Sequence, residues 1–407
     1  MRKPDLSTRL AITGVGIICS IGRNRPEVWR SIVESRAGIG KLTKFPGETF
    51  PTDVAAEVGD IDDLLPIGGR EARRMSRSDL LAVIAANEAV TQANEGAMTA
   101  LPRQRAVVST GTSTGGLLEG ESFYFDRLVR GRGRVAASRV LQQPTSGPSD
   151  AVARALSLGG GVLSNATACA SAGAAIGMAG DLLRSRHADV AVAGGSDALC
   201  RLTYSGFNVL QAVDENPCAP FAAARKGITL GEGAAYLVIE RWDDAVARGA
   251  TILAELRGYG ATCDAHHPTA PHDEGRGAEA AMRGALAEAG AERTRVDYIN
   301  AHGTGTLLND SAETRAIIAA VGEDVPVSSS KSYFGHTLGA SGGVEAVISV
   351  LTLQNQLAPP TLRLDLAAGD CTLDYIPHTP RPMAMTNVLS NTFGFGGSNV
   401  SLLFRRA

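Results

Sequence analysis

The chain of 407 residues carries a formal net charge of −3, with 44% hydrophobic and 20% charged residues. It is long and apolar enough for a large buried core, and its charge excludes a general nucleic-acid binder. The six cysteines are scattered and form no CxxC pair, which indicates reduced thiols in a cytoplasmic enzyme. No metal-site spacing is present. The N-terminal apolar stretch predicts a first strand rather than a secretory signal, and we expect no membrane span.

The first part of the chain alternates buried-strand patterns with helical ones. Apolar runs bounded by glycine predict strands at 10–19, 105–113, 161–168 and 188–198. Helices are predicted over 76–93 and over the small-residue run that begins at Cys169. Strands that alternate with helices favour an α/β fold with a mostly parallel sheet.

The same order then begins again, which indicates a weak internal repeat. Strands are predicted at 251–261, at the starts of 296–305 and 325–336, and twice within 387–406; helices are predicted over 276–290 and 339–356. The repeat divides the chain into halves 1–250 and 251–407, the first with a longer insert at roughly 117–158. No Pro/Ser-rich linker separates them, so we expect one shared body.

Cys169 follows a predicted strand and begins a helix of very small residues. The amide groups at a helix N-terminus carry partial positive charge, which stabilises a thiolate and raises its share at neutral pH. A sharp strand-to-helix turn also presents a side chain at the edge of a sheet. The alternative is that Cys169 is a small buried hydrophobe, and this stretch alone leaves both open.

Two histidines, His302 in NAHGTGT and His336 in KSYFGHTLGAS, each follow a predicted strand and precede a glycine-rich turn. The C-terminal ends of strands are where α/β folds place chemistry, and Lys331 lies beside one of these histidines. The turn NTFGFGGSN leaves backbone N–H groups free to point at an oxyanion. Three other histidines are expected to be structural or surface groups: His187, His267 and His378.

Together these motifs resemble the elongating β-ketoacyl-acyl-carrier-protein synthases of the thiolase superfamily. The matching stretches are TACAS around Cys169, NAHGTGT, SSKSYFGHTLGASGGVE, NTFGFGGSN, LGEGAA and the opening ITGVGI. They occur in the family's order and span essentially the whole chain. The resemblance implies a thiolase-like α/β fold of two pseudo-duplicated βαβαβαββ halves in a layered α-β-α-β-α body.

The resemblance also implies a role for each matching residue. Cys169 takes the acyl chain from an acyl carrier protein, while His302 and His336 assist decarboxylation of the malonyl extender and hold the enolate oxygen. Lys331 and Glu345 form a supporting pair. The other implied roles are an oxyanion hole from the N–H groups of Cys169 and Phe395, a gate at Phe395, pantetheine binding by Thr304 and Thr306, and substrate contacts by Thr114, Phe207 and Phe393.

The implied partners are an acidic acyl carrier protein and a second subunit. Family members are dimers, so we expect a homodimer or a heterodimer with a related ketosynthase-like subunit. No cofactor is implied, because the substrates are carried on the phosphopantetheine of the carrier. An acidic carrier needs local positive charge. The candidate docking residues are Arg70, Arg73 and Arg74 beside Arg77, and Arg127 and Arg130 beside Arg132 and Arg134. The alternative is that these arginines only form a solvated helix face.

The chain departs from the family in two places. The family usually reads RPFD…RDGF before the LGEG turn, whereas here Ala222 and Lys226 replace two acidic residues. Thr114 stands where many fatty-acid enzymes have an apolar pocket residue. These departures favour a type II polyketide or aryl-polyene pathway over a fatty-acid pathway.

Related classes are disfavoured on single residues. Chain-initiating synthases have asparagine in place of His336, thiolases use a second catalytic cysteine in the closing region, and chain-length factors have lost the nucleophile. Two other functions stay open as alternatives: a weakly catalytic or non-catalytic, chain-length-factor-like partner subunit of a heterodimer, and a Cys–His hydrolase.

Overall fold

A computed structural model describes residues 4–45, 50–290 and 296–407, and its largest feature is a ten-stranded mixed sheet. The strands in chain order are Leu10–Cys19, Ala106–Gly111, Val162–Asn165, Val190–Asp197, Gly233–Arg241, Ala254–Cys263, Tyr298–Asn300, Val327–Ser328, Asn387–Gly394 and Ser398–Arg406. All lie where strands were predicted except Gly233–Arg241, which the sequence patterns did not indicate.

The two halves of the sheet have the same topology. When the five strands of each half are counted in chain order, both halves have the spatial order 3-2-4-5-1. The halves meet where Leu10–Cys19 pairs antiparallel with Ala254–Cys263. Within each half two pairings are parallel and two are antiparallel, so the prediction of a mostly parallel sheet is wrong. In the second half the last strands fold back through the tight Phe395–Gly397 turn, with no crossover helix to make them parallel.

The helices form three layers around the two halves of the sheet. Ser171–Arg184 and Ser341–Asn355, the first and second central helices, lie side by side between the halves and are buried on nearly all sides. The outer layers are Arg77–Asn94 with Gly147–Ala155, and Arg276–Glu288 with Leu307–Ala320. Other helices are Arg25–Val33, Gly69–Ala72, Leu117–Tyr124, Ser138–Leu141, Arg201–Val209, Trp242–Ala247 and Lys331–Phe334. The result is the expected α-β-α-β-α body.

Glycine allows the central helices to pack this closely. A Cβ atom on Gly177 would lie 2.3 Å from the ring of Tyr259, and one on Gly342 would lie 2.6 Å from the backbone nitrogen of Gly173 on the other central helix. Side chains cannot approach to such distances without displacing the backbone. The small-residue run after Cys169 is therefore explained by packing, whatever the thiol itself does.

The insert of the first half, residues 117–158, leaves apolar side chains at the surface. Leu128 and Val129 are 74% and 69% exposed.

The predicted division at 250/251 falls between the helix Trp242–Ala247 and the strand Ala254–Cys263. None of the helices in the described ranges combines the length and hydropathy needed to cross a bilayer.

Candidate active site

Cys169 lies in a tight turn between a strand and the first central helix. Ala168 has φ of 49°, Cys169 sits in the 3-10 turn Ala168–Ala170, and the helix begins at Ser171. The Ser171 hydroxyl donates to the carbonyl of Ala168 at 2.6 Å and accepts from the N–H of Thr167 at 2.8 Å. These bonds fix the backbone that carries the thiol.

The second half repeats this turn before the second central helix. Leu338 has φ of 54°, a 3-10 turn follows over Leu338–Ala340, and the helix begins at Ser341. Gly339 occupies the position that Cys169 holds in the first half. His336 lies just before the turn, so the second copy carries a histidine into the cavity that Cys169 also lines.

Cys169, His302 and His336 line one cavity of about 300 Å³. Their side chains lie on residues that are only 6%, 3% and 3% exposed, so they form its buried floor. The other lining residues are Phe207, Leu210, Gln211, Ala212, Lys226, Ile228, Asp264, Thr269, Pro271, Thr304, Thr306, Leu307, Leu308, Asn309, Phe393, Gly394, Phe395 and Asn399. Sequence motifs far apart in the chain therefore meet in one cavity.

The two imidazoles are held as neutral hydrogen-bond donors. Their ring centroids are 5.3 Å apart and their planes nearly perpendicular. Nδ1 of His336 accepts from the N–H of Leu338 at 3.0 Å, and Nδ1 of His302 lies 3.1 Å from the ammonium of Lys331. Burial, with Lys331 as the next cause, lowers the pKa of both rings well below the ordinary value. With Nδ1 accepting, each neutral ring carries its proton on Nε2.

Lys331 and Glu345 form a fully buried ion pair behind His302. The lysine also donates to the carbonyl of His302 at 2.6 Å, and Thr392 donates to the second glutamate oxygen at 3.3 Å. Burial raises the pKa of Glu345, and Lys331 opposes that rise. Removing one member of such a buried pair typically lowers the free energy of unfolding by about 3–5 kcal/mol, because the other charge is left unpaired. Lys331 and Glu345 are therefore both needed to hold His302.

Two carboxylates that the sequence analysis missed shape the His302 loop. Glu313 accepts from the N–H groups of His302 and Gly303, each at 2.8 Å. Asp310 accepts from the N–H of Thr304 at 3.0 Å and from that of Gly305 at 3.2 Å. Their spacing of three places both on one helix face directly after NAHGTGT, a signal the sequence does contain.

Asp197 is a third missed carboxylate, and it ties the two halves together. It is fully buried and accepts from the hydroxyl of Thr112 at 2.6 Å and from the N–H of Ser113 at 2.8 Å. Its second oxygen also accepts from the N–H of Gly339 at 2.7 Å. The turn after His336 is thus anchored to the end of a strand in the other half.

Aromatic rings and two threonines enclose the space above the floor. The ring of Phe393 lies 5.8 Å from that of His302, and Phe207 and Phe395 lie 5.5 Å apart. The hydroxyls of Thr304 and Thr306 lie 2.9 Å from each other. A Cβ atom on Gly394 would lie 3.0 Å from the Cys169 amide nitrogen, so glycine lets this turn lie close against the backbone of Cys169.

Family models and curated relatives agree on the assignment. Residues 7–245 match the N-terminal domain of beta-ketoacyl synthases, and residues 253–365 match the C-terminal domain. The chain belongs to the β-ketoacyl synthase family. It is 38% identical over 408 residues to 3-oxoacyl-acyl-carrier-protein synthase 2 of Synechocystis sp., covering 98% of each chain. It is also 38% identical over 409 residues to Nodulation protein E of Rhizobium meliloti, covering 98% of this chain and 100% of the relative.

Solved structures confirm the thiolase-like fold expected from the resemblance. The ishigamide ketosynthase/chain length factor superposes with a TM-score of 0.93 at 32% identity, covering 100% of both chains. The ketosynthase ApeO in complex with its chain length factor ApeC, from Xenorhabdus doucetiae, gives a TM-score of 0.85 at 32% identity and 98% coverage of both.

The pKa of the Cys169 thiol differs from what the sequence predicted. Burial raises the pKa of Cys169 to about 11, and Lys331 and the N–H of Phe395 offset only part of that rise. The prediction of an increased thiolate share at neutral pH is therefore wrong. The start of the helix was visible in the sequence, whereas the full burial of the sulfur was not.

We expect alkylation of Cys169 by iodoacetamide to become faster up to a pH near 11. A thiolate is the reacting species, and below its pKa the thiolate fraction grows about tenfold per pH unit. Mass spectrometry of the Cys169 peptide over short times measures the rate. The exposed Cys263 serves as an internal reference for reagent activity. A rate that levels off at pH 7 or below would contradict the raised pKa.

The structure places Thr114 away from the cavity of this synthase. Its hydroxyl donates to Asp197 at 2.7 Å, and its N–H does so at 2.9 Å. It is not among the residues that line the space around Cys169. In this arrangement its hydroxyl is used within the protein, so its suggested contact with the acyl chain stays a prediction.

The two arginine clusters differ in their surroundings. Arg70, Arg73 and Arg74 are exposed on and after the short helix Gly69–Ala72, whereas Arg77 is half-buried and paired with Glu232 at 2.7 Å. In the second cluster Arg130 and Arg132 pair with the carboxylate of Asp126, which Arg139, outside the cluster, also contacts. Arg127 donates to the backbone carbonyls of Arg132 and Gly133. The first cluster thus carries more unengaged positive charge.

Proposed function

We propose that the chain is a catalytic β-ketoacyl-acyl-carrier-protein synthase that condenses a Cys169-bound acyl chain with a malonyl thioester, releasing CO₂. One observation carries this proposal: a thiol and two neutral imidazoles share a buried floor, in a cavity whose upper part is exposed. The neutral rings suit donation to an oxyanion, and the burial excludes water from a carbanion.

Loading transfers the acyl group from the carrier's thioester to Cys169. The sulfur attacks the carbonyl carbon, and the N–H groups of Cys169 and Phe395 stabilise the oxyanion. The departing pantetheine sulfur takes the proton that the Cys169 thiol loses, so the step is balanced. Because its pKa is raised to about 11, the Cys169 thiol enters this step protonated at neutral pH.

Condensation then uses the two histidines. As the malonyl thioester loses CO₂, its carbonyl oxygen becomes an enolate that accepts from Nε2–H of His302 and of His336. The enolate carbon attacks the Cys169 thioester, the 3-oxoacyl product stays on the carrier, and one proton from solvent restores the thiol. Lys331 and Glu345 act by positioning His302.

The remaining predicted residues fit this reaction as binding and gating groups. Thr304 and Thr306 line the path to the floor, which suits hydrogen bonds to the amides of the pantetheine arm. Phe207 and Phe395 contact each other across the cavity, which suits a gate that opens for the malonyl group. Carrier docking falls on Arg70, Arg73 and Arg74, with Arg127 and Arg130 as further candidates.

Two observations favour a specialised pathway and a two-subunit assembly. The solved relatives include a type II polyketide ketosynthase bound to its acyl-carrier protein, and two ketosynthases with chain length factors. We therefore propose a type II polyketide or aryl-polyene role before a fatty-acid role, as a homodimer or a heterodimer. The second candidate function is the chain-length-factor-like subunit, which those same heterodimers favour.

Mass spectrometry of Cys169 after incubation with acyl carriers of different chains tests the proposal. We expect an acyl adduct on Cys169, and a 3-oxoacyl carrier after malonyl carrier is added. Release of free acid without a condensed product would favour a hydrolase. Absence of any adduct, together with stimulation of a related subunit, would favour the partner role.

A further inference from the structure

The cavity has two chemically distinct ends. Its floor holds Cys169 and the two histidines, all nearly inaccessible, whereas its rim includes Leu307 and Leu308, which are 60% and 58% exposed. Lys226 is also exposed and lines the same cavity. A substrate whose thioester reaches the floor therefore leaves its outer part beside Lys226.

Among the described lining residues, only Lys226 and Asp264 carry a formal charge, because both histidines are neutral. The Asp264 carboxylate is already used: it accepts from Asn399 at 2.7 Å and from the N–H of His272 at 3.1 Å. Lys226 forms no ion pair with any carboxylate in the described part of the chain. The cavity therefore presents one unengaged cation, and it lies at the rim.

The backbone on both sides of Lys226 is firmly held. The guanidinium of Arg225, itself buried, pairs with Asp370 at 3.0 Å. On the other side the N–H of Ile228 donates to the carbonyl of Ala212 at 2.8 Å, and the Ile228 carbonyl accepts from Asp214 at 3.0 Å. The backbone that carries Lys226 is thus fixed, so only the lysine side chain has to be ordered when an anion binds.

We propose that Lys226 binds the phosphodiester of the 4′-phosphopantetheine arm at the rim of the cavity, an inference that rests on the proposed function. The arm consists of amides and alkyl groups that end in one permanent negative charge. An ammonium–phosphate contact is a strong, charge-assisted interaction.

The test compares two loading substrates: an acyl-pantetheine, and the matching acyl-4′-phosphopantetheine methyl ester, whose phosphodiester carries one negative charge like that of the carrier-bound arm. For the unaltered protein we expect kcat/KM for Cys169 loading to be about three- to tenfold higher with the phosphate. In Lys226→Gln this ratio should fall towards one, and Lys226→Arg should restore most of it. Lys41→Gln, which neutralises a 78% exposed lysine outside this cavity, should leave the ratio unchanged.

The outcomes separate this inference from the proposed function. If the unaltered protein loads neither substrate, the proposed function fails and the inference fails with it. If it loads both equally well, or if Lys226→Gln keeps the preference for the phosphate, the function stands and the inference is wrong. If Lys226→Gln impairs loading only from the intact carrier protein, the lysine contacts the carrier's own side chains and the phosphate assignment is overturned.

Discussion

Cys169→Ala is expected to abolish acyl loading while leaving decarboxylation of a malonyl thioester measurable. Loading needs the sulfur, and losing a covalent nucleophile typically costs at least about 10³-fold. In the proposed mechanism the donors for the enolate oxygen are His302 and His336, whose hydrogen bonds to Lys331 and Leu338 do not involve Cys169. Intact-protein mass spectrometry measures loading, and conversion of malonyl to acetyl thioester measures decarboxylation.

Cys371→Ala is the matched control for this change. Cys371 is a buried thiol that does not line the cavity, so its removal should leave loading intact. Loading of Cys169→Ala at the unaltered rate would show that another group is the nucleophile. If the chain instead serves as a non-catalytic subunit, Cys169→Ala should leave the turnover of the assembled heterodimer unchanged.

The sequence predicted which loops carry the site because each candidate residue stands at a strand end or a helix start. Cys169 lies just before a helix of small residues, and His302 lies just after the strand Tyr298–Asn300, as the local sequence patterns predicted. The α-β-α-β-α layers followed from the resemblance. The antiparallel pairings did not, because pairing direction depends on how distant segments dock and not on the apolar pattern of either one.

The sequence could not show which residues far apart in the chain come into contact. Asp197 interacts with Ser113 and with Gly339, residues 84 and 142 positions away, and neither bond has a local signature. The prediction of a larger thiolate share for Cys169 was wrong for the same reason. The helix start that favours the thiolate is a local feature, whereas the burial that raises the pKa is produced by the whole fold.

The turn before each central helix occurs in both halves, but it carries a different residue in each copy. The turn at Ala168 presents a thiol, whereas the turn at Leu338 presents Gly339, whose N–H is taken by Asp197. In the second copy it is the N–H of Leu338 that fixes the tautomer of His336. In the proposed reaction the first half therefore contributes the nucleophile and the second half an oriented hydrogen-bond donor.

His336→Ala is expected to lower decarboxylation of a malonyl thioester by about 10²–10³-fold, the usual loss for one oxyanion donor. Loading of Cys169 should fall much less, because the oxyanion hole proposed for that step is made of backbone N–H groups. His336→Asn keeps an N–H donor on a shorter side chain, so it should retain more activity than His336→Ala. His187→Ala, an exposed histidine outside the cavity, is the control and should have no effect.

The pH profile distinguishes a neutral donor from a titrating acid or base. Both imidazoles have a pKa well below 6.5, so the neutral, donating form predominates above that lowered value and is lost only as the pH falls through it. Decarboxylation by the Cys169→Ala protein, in which no thiol ionisation interferes, should therefore be flat between about pH 6 and pH 8. A limb centred near pH 6.5 would mean that one histidine changes charge during catalysis, and the neutral-donor mechanism would then be wrong.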